Sequence, residues 1–271
     1  NYNFDGDKVK SYTIFDYNAA TDALDRSTTY RANTPAMDLT LRTEKLLGDK
    51  TRSITYYAGN PGEEQAKTTF NYNFNGDTIK SYTIFDYGTQ DELLKSVSYR
   101  VMSVITAPGI LTAPRGGDFK KSVTFYEGNP GEEKARWTYN YNFNGDTLKT
   151  VTHFNYDTSD RLTDSVTYRI KLKADVTATV APDGKTPVTK ELLYQIVDAS
   201  GNLMVLPTYL AADKADQGFT LGTGAKLMAF TLTLRSKSFY EGPEGEERVK
   251  TTFNYNFDGD KVKSYTIFDY N

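Results

Sequence analysis

The chain has 271 residues, a net charge of -3, no cysteine and one histidine, and aromatics reach 14% through 21 Tyr and 15 Phe. The missing cysteines exclude disulfides and thiolate metal sites, and the interspersed charges exclude the basic footprint of a nucleic-acid binder. No apolar run reaches the length of a membrane-crossing helix, while the aromatic content separates the chain from a disordered one. Residues 1–18, NYNFDGDKVKSYTIFDYN, read as two strands around the turn dipeptide Asp5-Gly6, and LDRSTTYR at 24–31 reads as the next strand. Residues 32–50 form a connector containing Pro35 and MDLTLR. A new strand then begins at RSITYYAGNPGEEQAKTTF, residues 52–70, and leads into a second version of the opening segment at 71–88. LLKSVSYR at 93–100 and a connector with Pro108 and Pro114 follow. The pattern restarts at 121–139, continues through 140–157 and closes with LTDSVTYR at 162–169. After a long stretch it resumes at 237–253, and residues 254–271 repeat residues 1–18 letter for letter.

One unit thus reads as four strands, here types A to D, which in the third repeat span about 121–127, 134–143, 147–157 and 162–170. Alternation along type B places Trp137, Tyr139, Tyr141 and Phe143 on one face and Thr138, Asn140 and Asn142 on the other. That is the period of a strand, not of a helix. The fold class expected is all-β: tandem antiparallel β-hairpin repeats forming an extended or coiled sheet, with a β-rich insert. The divisions are 1–50, a partial repeat and connector; 51–119, the second repeat and connector; 120–170, the third repeat; 171–235, an inserted β-rich lobe; and 236–271, a partial fourth repeat. The insert carries the strand-like runs KELLYQIVD and LMAFTLTLR and a turn at Asp198–Asn202. The connectors are expected to cover one face of the sheet.

Asp5-Gly6, Asn75-Gly76, Asn144-Gly145 and Asp258-Gly259 are dipeptides that two-residue type I′ turns require. Such a turn sets Tyr72 opposite Ile79 and Phe74 opposite Asp77. Types A and B join through GNPGEE, where Pro61, Pro130 and Pro243 pre-set the bend.

Tyr156-Asp157-Thr158-Ser159-Asp160-Arg161-Leu162, followed by Tyr168, resembles the Tyr-Asp repeat of Rhs-type proteins, roughly YDxxGRL before a short Thr/Val-rich strand. YNFNGDTL at 141–148 and YGTQDEL at 87–93 are looser versions. The resemblance covers the hairpins, about half the chain, and not the connectors or the insert. The family's glycine is Asp160 here, and its aspartate is Gly88 in the second copy. The resemblance implies extracellular β-hairpin arrays, which in that family coil into a shell around a cargo.

No residue is assigned a catalytic, cofactor-binding or metal-binding role. His153 corresponds to Ile14, Ile84 and Ile267 in the other copies, so its position is one for packing. Glu63-Glu64, Glu132-Glu133 and Glu246-Glu247, with Asp5 and Asp7, are oxygen donors of the kind Ca²⁺ takes. They match no Ca²⁺ loop, however, and Lys67, Lys134 and Arg248 follow closely, so they read as solvated turns with cross-strand charge pairing. Aromatic rows that would stack on a polysaccharide read first as the sheet's own core. Gly116-Gly117 and Gly222-Thr223-Gly224 lack the ending of a phosphate loop. Paired carboxylates in every hairpin point to architecture rather than to glycoside cleavage.

Repetition of this kind marks stacked scaffolds. The expectation is a non-enzymatic structural protein, one 253-residue period of an extracellular or cell-surface filament, stalk or fibre. It would self-associate or continue covalently, with polysaccharide as a possible partner and no nucleic acid. The competing readings are an adhesin or glycan-binding module and a cargo shell of the Tyr-Asp kind.

Overall fold

The computed structural model describes residues 9–33, 44–174, 185–186, 192–197, 219–220 and 226–270, with backbone alone over 171–231. The described secondary structure is entirely β, in antiparallel pairs. The first copy supplies β1 (Ser11–Tyr17) and β2 (Leu24–Arg31). The second supplies β3 (Lys50–Ala58), β4 (Gln65–Tyr72), β5 (Ile79–Tyr87) and β6 (Leu93–Arg100). The third supplies β7 (Phe119–Glu127), β8 (Lys134–Tyr141), β9 (Leu148–Tyr156) and β10 (Leu162–Ala174). Then come β11 (Lys185–Thr186), β12 (Leu192–Val197), β13 (Phe219–Thr220), β14 (Lys226–Glu241), β15 (Arg248–Tyr255) and β16 (Val262–Ile267). The tandem-hairpin architecture read from the alternation is the one observed. β12 and β14 fall in the two strand-like runs of the 171–235 stretch, and β10 and β14 run on past 170 and 236 without a break. The turns at Asp5-Gly6 and Asp198–Asn202 lie outside the described residues.

The chain divides into two compact units. One runs to Val123 and takes in 127–133 and 143–146; the other holds 124–126, 134–142 and everything from Thr147 on. In the first, β1 to β6 each pair with their chain neighbours. In the second, the order is β8-β9-β10-β14-β15-β16, with β12 on β14. Hydroxyls meet across neighbouring strands on one face, with Thr13–Thr29, Thr55–Thr69, Thr83–Ser98 and Thr152–Thr167 all at 2.8–2.9 Å. The opposite face is aromatic. In the second repeat Phe70 and Tyr82 are fully buried and packed with Ile79 and Tyr99, and Val101, Ile105 and Leu111 of the connector lie against them. That connector does cover the face, as its apolar pieces lead one to expect.

The B–C turn differs from the two-residue form. Tyr72 pairs with Ile79, as expected, but Phe74 and Asp77 sit inside a wider loop that closes where the Asn73 N–H donates to Thr78 O at 2.8 Å. Within it the Gly76 N–H donates to Asn73 O, and of the tip residues only Gly76 has positive φ, at 72°. A type I′ turn needs positive φ at both central residues, whereas longer hairpin loops are built around type I turns. The Asn73 side chain accounts for the change. Its Oδ1 accepts the N–H groups of Asp77 and Thr78, and its Nδ2 donates to Asp77 at 2.7 Å, filling the wider loop. Lys80 is left over as a bulge beside Tyr72.

The A–B bend is a type II turn. Glu63 N–H donates to Asn60 O around Pro61 and Gly62, and Gly62 has φ 83°, the value that position demands. At the C–D bend, Asp22, Asp91 and Asp160 have φ of 59–66°. These aspartates, Asp160 standing where the Tyr-Asp repeat carries glycine, are in the left-handed region, which aspartate tolerates. Asp157 caps that bend by accepting the N–H groups of Ser159 and Arg161. In the second copy, where this residue is Gly88, the Glu92 carboxylate takes over and accepts from Gln90 N–H. It occupies the space where a Cβ on Gly88 would stand.

Candidate functional site

The recurring polar geometry of the molecule lies where one repeat meets the next, at both ends of each type D strand. At the start of the strand, Glu64 accepts the Leu24 N–H at 2.9 Å, Glu133 accepts that of Leu93 at 2.8 Å, and Glu247 accepts that of Leu162 at 2.9 Å. The other carboxylate oxygen folds back onto its own turn, accepting from Gly62 or Gly131. Donated backbone hydrogen bonds, chiefly from Leu24 and Leu162, hold Glu64 and Glu247 below the ordinary glutamate range. Lys134 adds a smaller effect on Glu247.

The strand ends on an arginine that reaches the B–C hairpin of the next repeat. Arg31 donates to the carbonyls of Asn73 and Phe74, Arg100 to that of Phe143, and Arg169 to those of Asn256 and Phe257. Each guanidinium also lies over the tip phenylalanine, with centroid distances of 5.7 Å at Phe74, 4.3 Å at Phe143 and 5.7 Å at Phe257. The tip glycine is needed for this seat. A Cβ at Gly76 would stand 2.5 Å from Thr51 N, and at Gly145 the same distance from Lys120 N. Midway, Ser27 bonds Tyr57 at 3.0 Å and Ser165 bonds Tyr240 at 3.1 Å.

The second glutamate of each bend is therefore a tie between repeats, while Glu63, Glu132 and Glu246 are exposed on the turn. The bases that follow the glutamates are engaged elsewhere: Lys67 lies over Tyr87, Lys134 contacts Glu244 at 2.7 Å and Asp160 at 3.5 Å, and Arg248 lies over Tyr270. Spacing within one copy cannot show this, because the partner N–H is about 40 residues away in the first two ties and 85 in the third. The signal available was recurrence. YR closes every type D strand and the second glutamate closes every GNPGEE-type bend.

His153 lies in a packing environment. Its ring stacks on Trp137 at 3.8 Å and 12°, between the cross-strand partners Trp137 and Val166. Burial, helped by the Arg136 charge, pushes its pKa down to about 4. In the aromatic rows Phe70, Tyr82 and Tyr139 are fully buried and offer no face to a sugar, whereas the tip residues Phe74, Phe143 and Phe257 are exposed. Among the described residues, no group of three or more His, Cys, Asp or Glu stands together as a metal site would require. Gly117 serves the turn before β7, where Asp118 N–H donates to Arg115 O. Asp5, Asp7 and Gly222–Gly224 lie outside the described residues.

No family model and no curated protein matches the chain. Among solved structures it is similar to a chain of the TcdB2-TccC3-TEV crystal structure, at 10% identity and a TM-score of 0.34, covering 95% of this chain and 9% of that one. It is also similar to a chain of the Photorhabdus luminescens Tc holotoxin pore, at 10% identity and a TM-score of 0.22, covering 95% and 12%. A Bacteroides fragilis protein of unknown function matches at 11% identity and a TM-score of 0.20, covering 59% and 83%. The chain thus spans about a tenth of the length of the Tc chains it matches, and at these scores the likeness is a loose one of β architecture.

Proposed function

We propose that this chain is a structural protein, one period of a repetitive extracellular filament, stalk or surface fibre, and not an enzyme. The observation that carries the reading is the pair of ties at each type D strand. A glutamate of the following repeat accepts the N–H at its start, and the arginine at its end reaches that same repeat, three times over. A unit built this way obtains part of its hydrogen bonding from its neighbour, the condition under which stability grows by adding repeats rather than by enlarging one core. Residues 254–271 repeat residues 1–18 letter for letter, so the same segment serves at two places in the array. The glutamate and arginine that recur in each repeat are taken up by these ties, which favours a mechanical role.

The test is a series of concatemers sharing the common 18-residue segment at each junction, imaged by negative-stain electron microscopy. Unbranched particles whose length grows in proportion to copy number are expected. Globules of constant shape, or periods that fold as separate beads on flexible links, would overturn the reading.

A further inference from the structure

Asparagine followed by glycine occurs twice in the chain, at Asn75-Gly76 and Asn144-Gly145, and both pairs stand at the tip of a B–C hairpin. Both asparagines are exposed. At the same place the other two copies carry the corresponding acid, as Asp5-Gly6 and Asp258-Gly259. The tip with Asp258 closes as the tip with Asn75 does. The Asn256 N–H donates to Lys261 O at 2.9 Å and the Gly259 N–H to Asn256 O at 3.2 Å, beside 2.8 Å and 3.1 Å for Asn73 and Gly76. The glycine φ is 72°, 73° and 75° in the three described tips. One geometry thus serves the amide and the acid alike.

Asparagine is among the thermolabile residues, and glycine after it removes the Cβ that would shield the attacking nitrogen. At this pair the Gly76 nitrogen attacks Cγ of Asn75 and gives up its proton to water. The Cγ–Nδ2 bond breaks, ammonia leaves, and a five-membered imide closes. Water then opens the ring, its hydroxyl going to one carbonyl carbon and its proton to the nitrogen. Opening at Cα's own carbonyl bond to nitrogen or at that of Cγ decides the product: aspartate if the main chain is restored, isoaspartate if it now runs through Cγ and is one carbon longer. Asn75 lines a cavity with Lys10, Arg31, Lys50 and Arg52, so a new carboxylate there is stabilised by opposite charge. We propose that Asn75 and Asn144 are sites of spontaneous deamidation, at which the hairpin tip accepts aspartate and isoaspartate undoes the tie between repeats. The tip is seated too closely for a longer main chain: a Cβ at Gly76 would stand 2.5 Å from Thr51 N, and one at Gly145 the same distance from Lys120 N. Arg31 holds the carbonyls of Asn73 and Phe74, directly before the altered residue. The loop also governs the rate. Gly76 N–H is engaged with Asn73 O, and the Asn73 side chain holds Asp77 and Thr78, so the loop must loosen before that nitrogen turns on Asn75.

The inference stands apart from the filament reading, which the concatemers test. The full chain is aged in warm, mildly alkaline buffer, and its peptides are mapped by mass spectrometry, with isoaspartate separated from aspartate by fragmentation. Conversion of amide to acid is expected at least tenfold faster at Asn75 and Asn144 than at Asn73 and Asn142, which precede phenylalanine. Asn75→Asp with Asn144→Asp should keep the parent's melting temperature, whereas aged parent should lose melting temperature in step with its isoaspartate content. Asn73→Ala should speed conversion at Asn75 at least threefold and leave Asn144 at the parent's rate. Conversion no faster at the tips than at Asn73 and Asn142 would overturn the proposal. So would an aspartate variant as unstable as the aged chain, or isoaspartate that accumulates without any fall in melting temperature.

Discussion

The second and third repeats share four strands and both kinds of tie, yet they close their aromatic face by different means. In the second, the connector is hooked down by three polar side chains. Thr68 accepts the Leu111 N–H at 2.9 Å, the Tyr82 hydroxyl accepts that of Arg115 at 2.9 Å, and Asp118 accepts that of Met102 at 2.8 Å. The first copy uses the same device, with Tyr12 donating to Asp49 at 2.6 Å and Asp49 accepting from Asn33 N–H. The third repeat has Trp137, Val151 and Leu232 at the positions of Thr68, Tyr82 and Asp118. There the chain leaves as strand, with β10 running on to Ala174 and pairing with β14, and Trp137 stacks on His153. All three hooks change together. A short connector needs polar hooks because its backbone has no ladder to join; where the backbone continues as paired strands, apolar residues replace them.

The comparison is broken most directly at the buried ring. Tyr82 and Tyr265 occupy the same place in the identical octapeptide KSYTIFDY, but Tyr82 is fully buried under the connector and Tyr265 is 64% exposed. Tyr82→Ala, like Phe70→Ala, is expected to cost about 3–5 kcal/mol in denaturant unfolding, and Tyr265→Ala less than about 0.5 kcal/mol. Equal losses at the two tyrosines would mean that the covering connector is not what gives the ring its weight. The Tyr82 hydroxyl is pushed up to about 12, mainly by burial, so alkaline titration should ionise it after the exposed tyrosines.

A finer test transplants the third repeat's residues into the second. Asp118→Leu removes a fully buried carboxylate and leaves the Met102 N–H without its acceptor, a loss of about 1–3 kcal/mol. Adding Tyr82→Val removes a second polar member of the hook, leaving Thr68 in place. The double variant should then lose less than the two single losses combined, by at least about 0.5 kcal/mol. Strict additivity would show that tyrosine and aspartate act independently and that their joint replacement by Val151 and Leu232 has another origin.

How much of this could be read from the sequence follows from the range of each interaction. Strand alternation and cross-strand pairing are local, so the four strand types and the Tyr72–Ile79 register were visible in the letters. The turn type was misread because Asn73, two residues before the Asn-Gly dipeptide, supplies a side-chain cap that converts a tight turn into a wider loop. The ties lay beyond reach for a different reason. Glu133 and Leu93 are 40 residues apart, and only the pairing of strands between repeats brings them together. Recurrence of Glu and Arg in each copy was legible, but a recurring charge reads equally as a solvated face until its partner is seen. His153 was legible as a packing residue because three other copies carry isoleucine there.

That last residue gives the smallest and most specific effect. The His153 pKa is lowered to about 4 by burial and by the Arg136 charge, with Asp164 opposing them. Between about pH 4 and 6.5 the unfolded chain therefore binds a proton that the folded chain does not. Stability contributed by the neutral imidazole is complete above about pH 6.5 and is lost as the pH falls toward 4. Isoleucine, the residue of the other copies, has no such proton to bind and is a suitable cross-strand neighbour for Trp137. His153→Ile should leave the melting temperature within a degree or two of the parent at pH 7.5 and should decline less between pH 6.5 and 4. The depressed glutamates of the ties titrate in both proteins and cancel from the difference. Parallel curves for the two proteins across that window would show that the imidazole is hydrated in the folded state and that the Trp137 stack does not shield it. A variant destabilised equally at all pH values would show instead that the stack itself, and not the neutral charge state, is what the third repeat relies on.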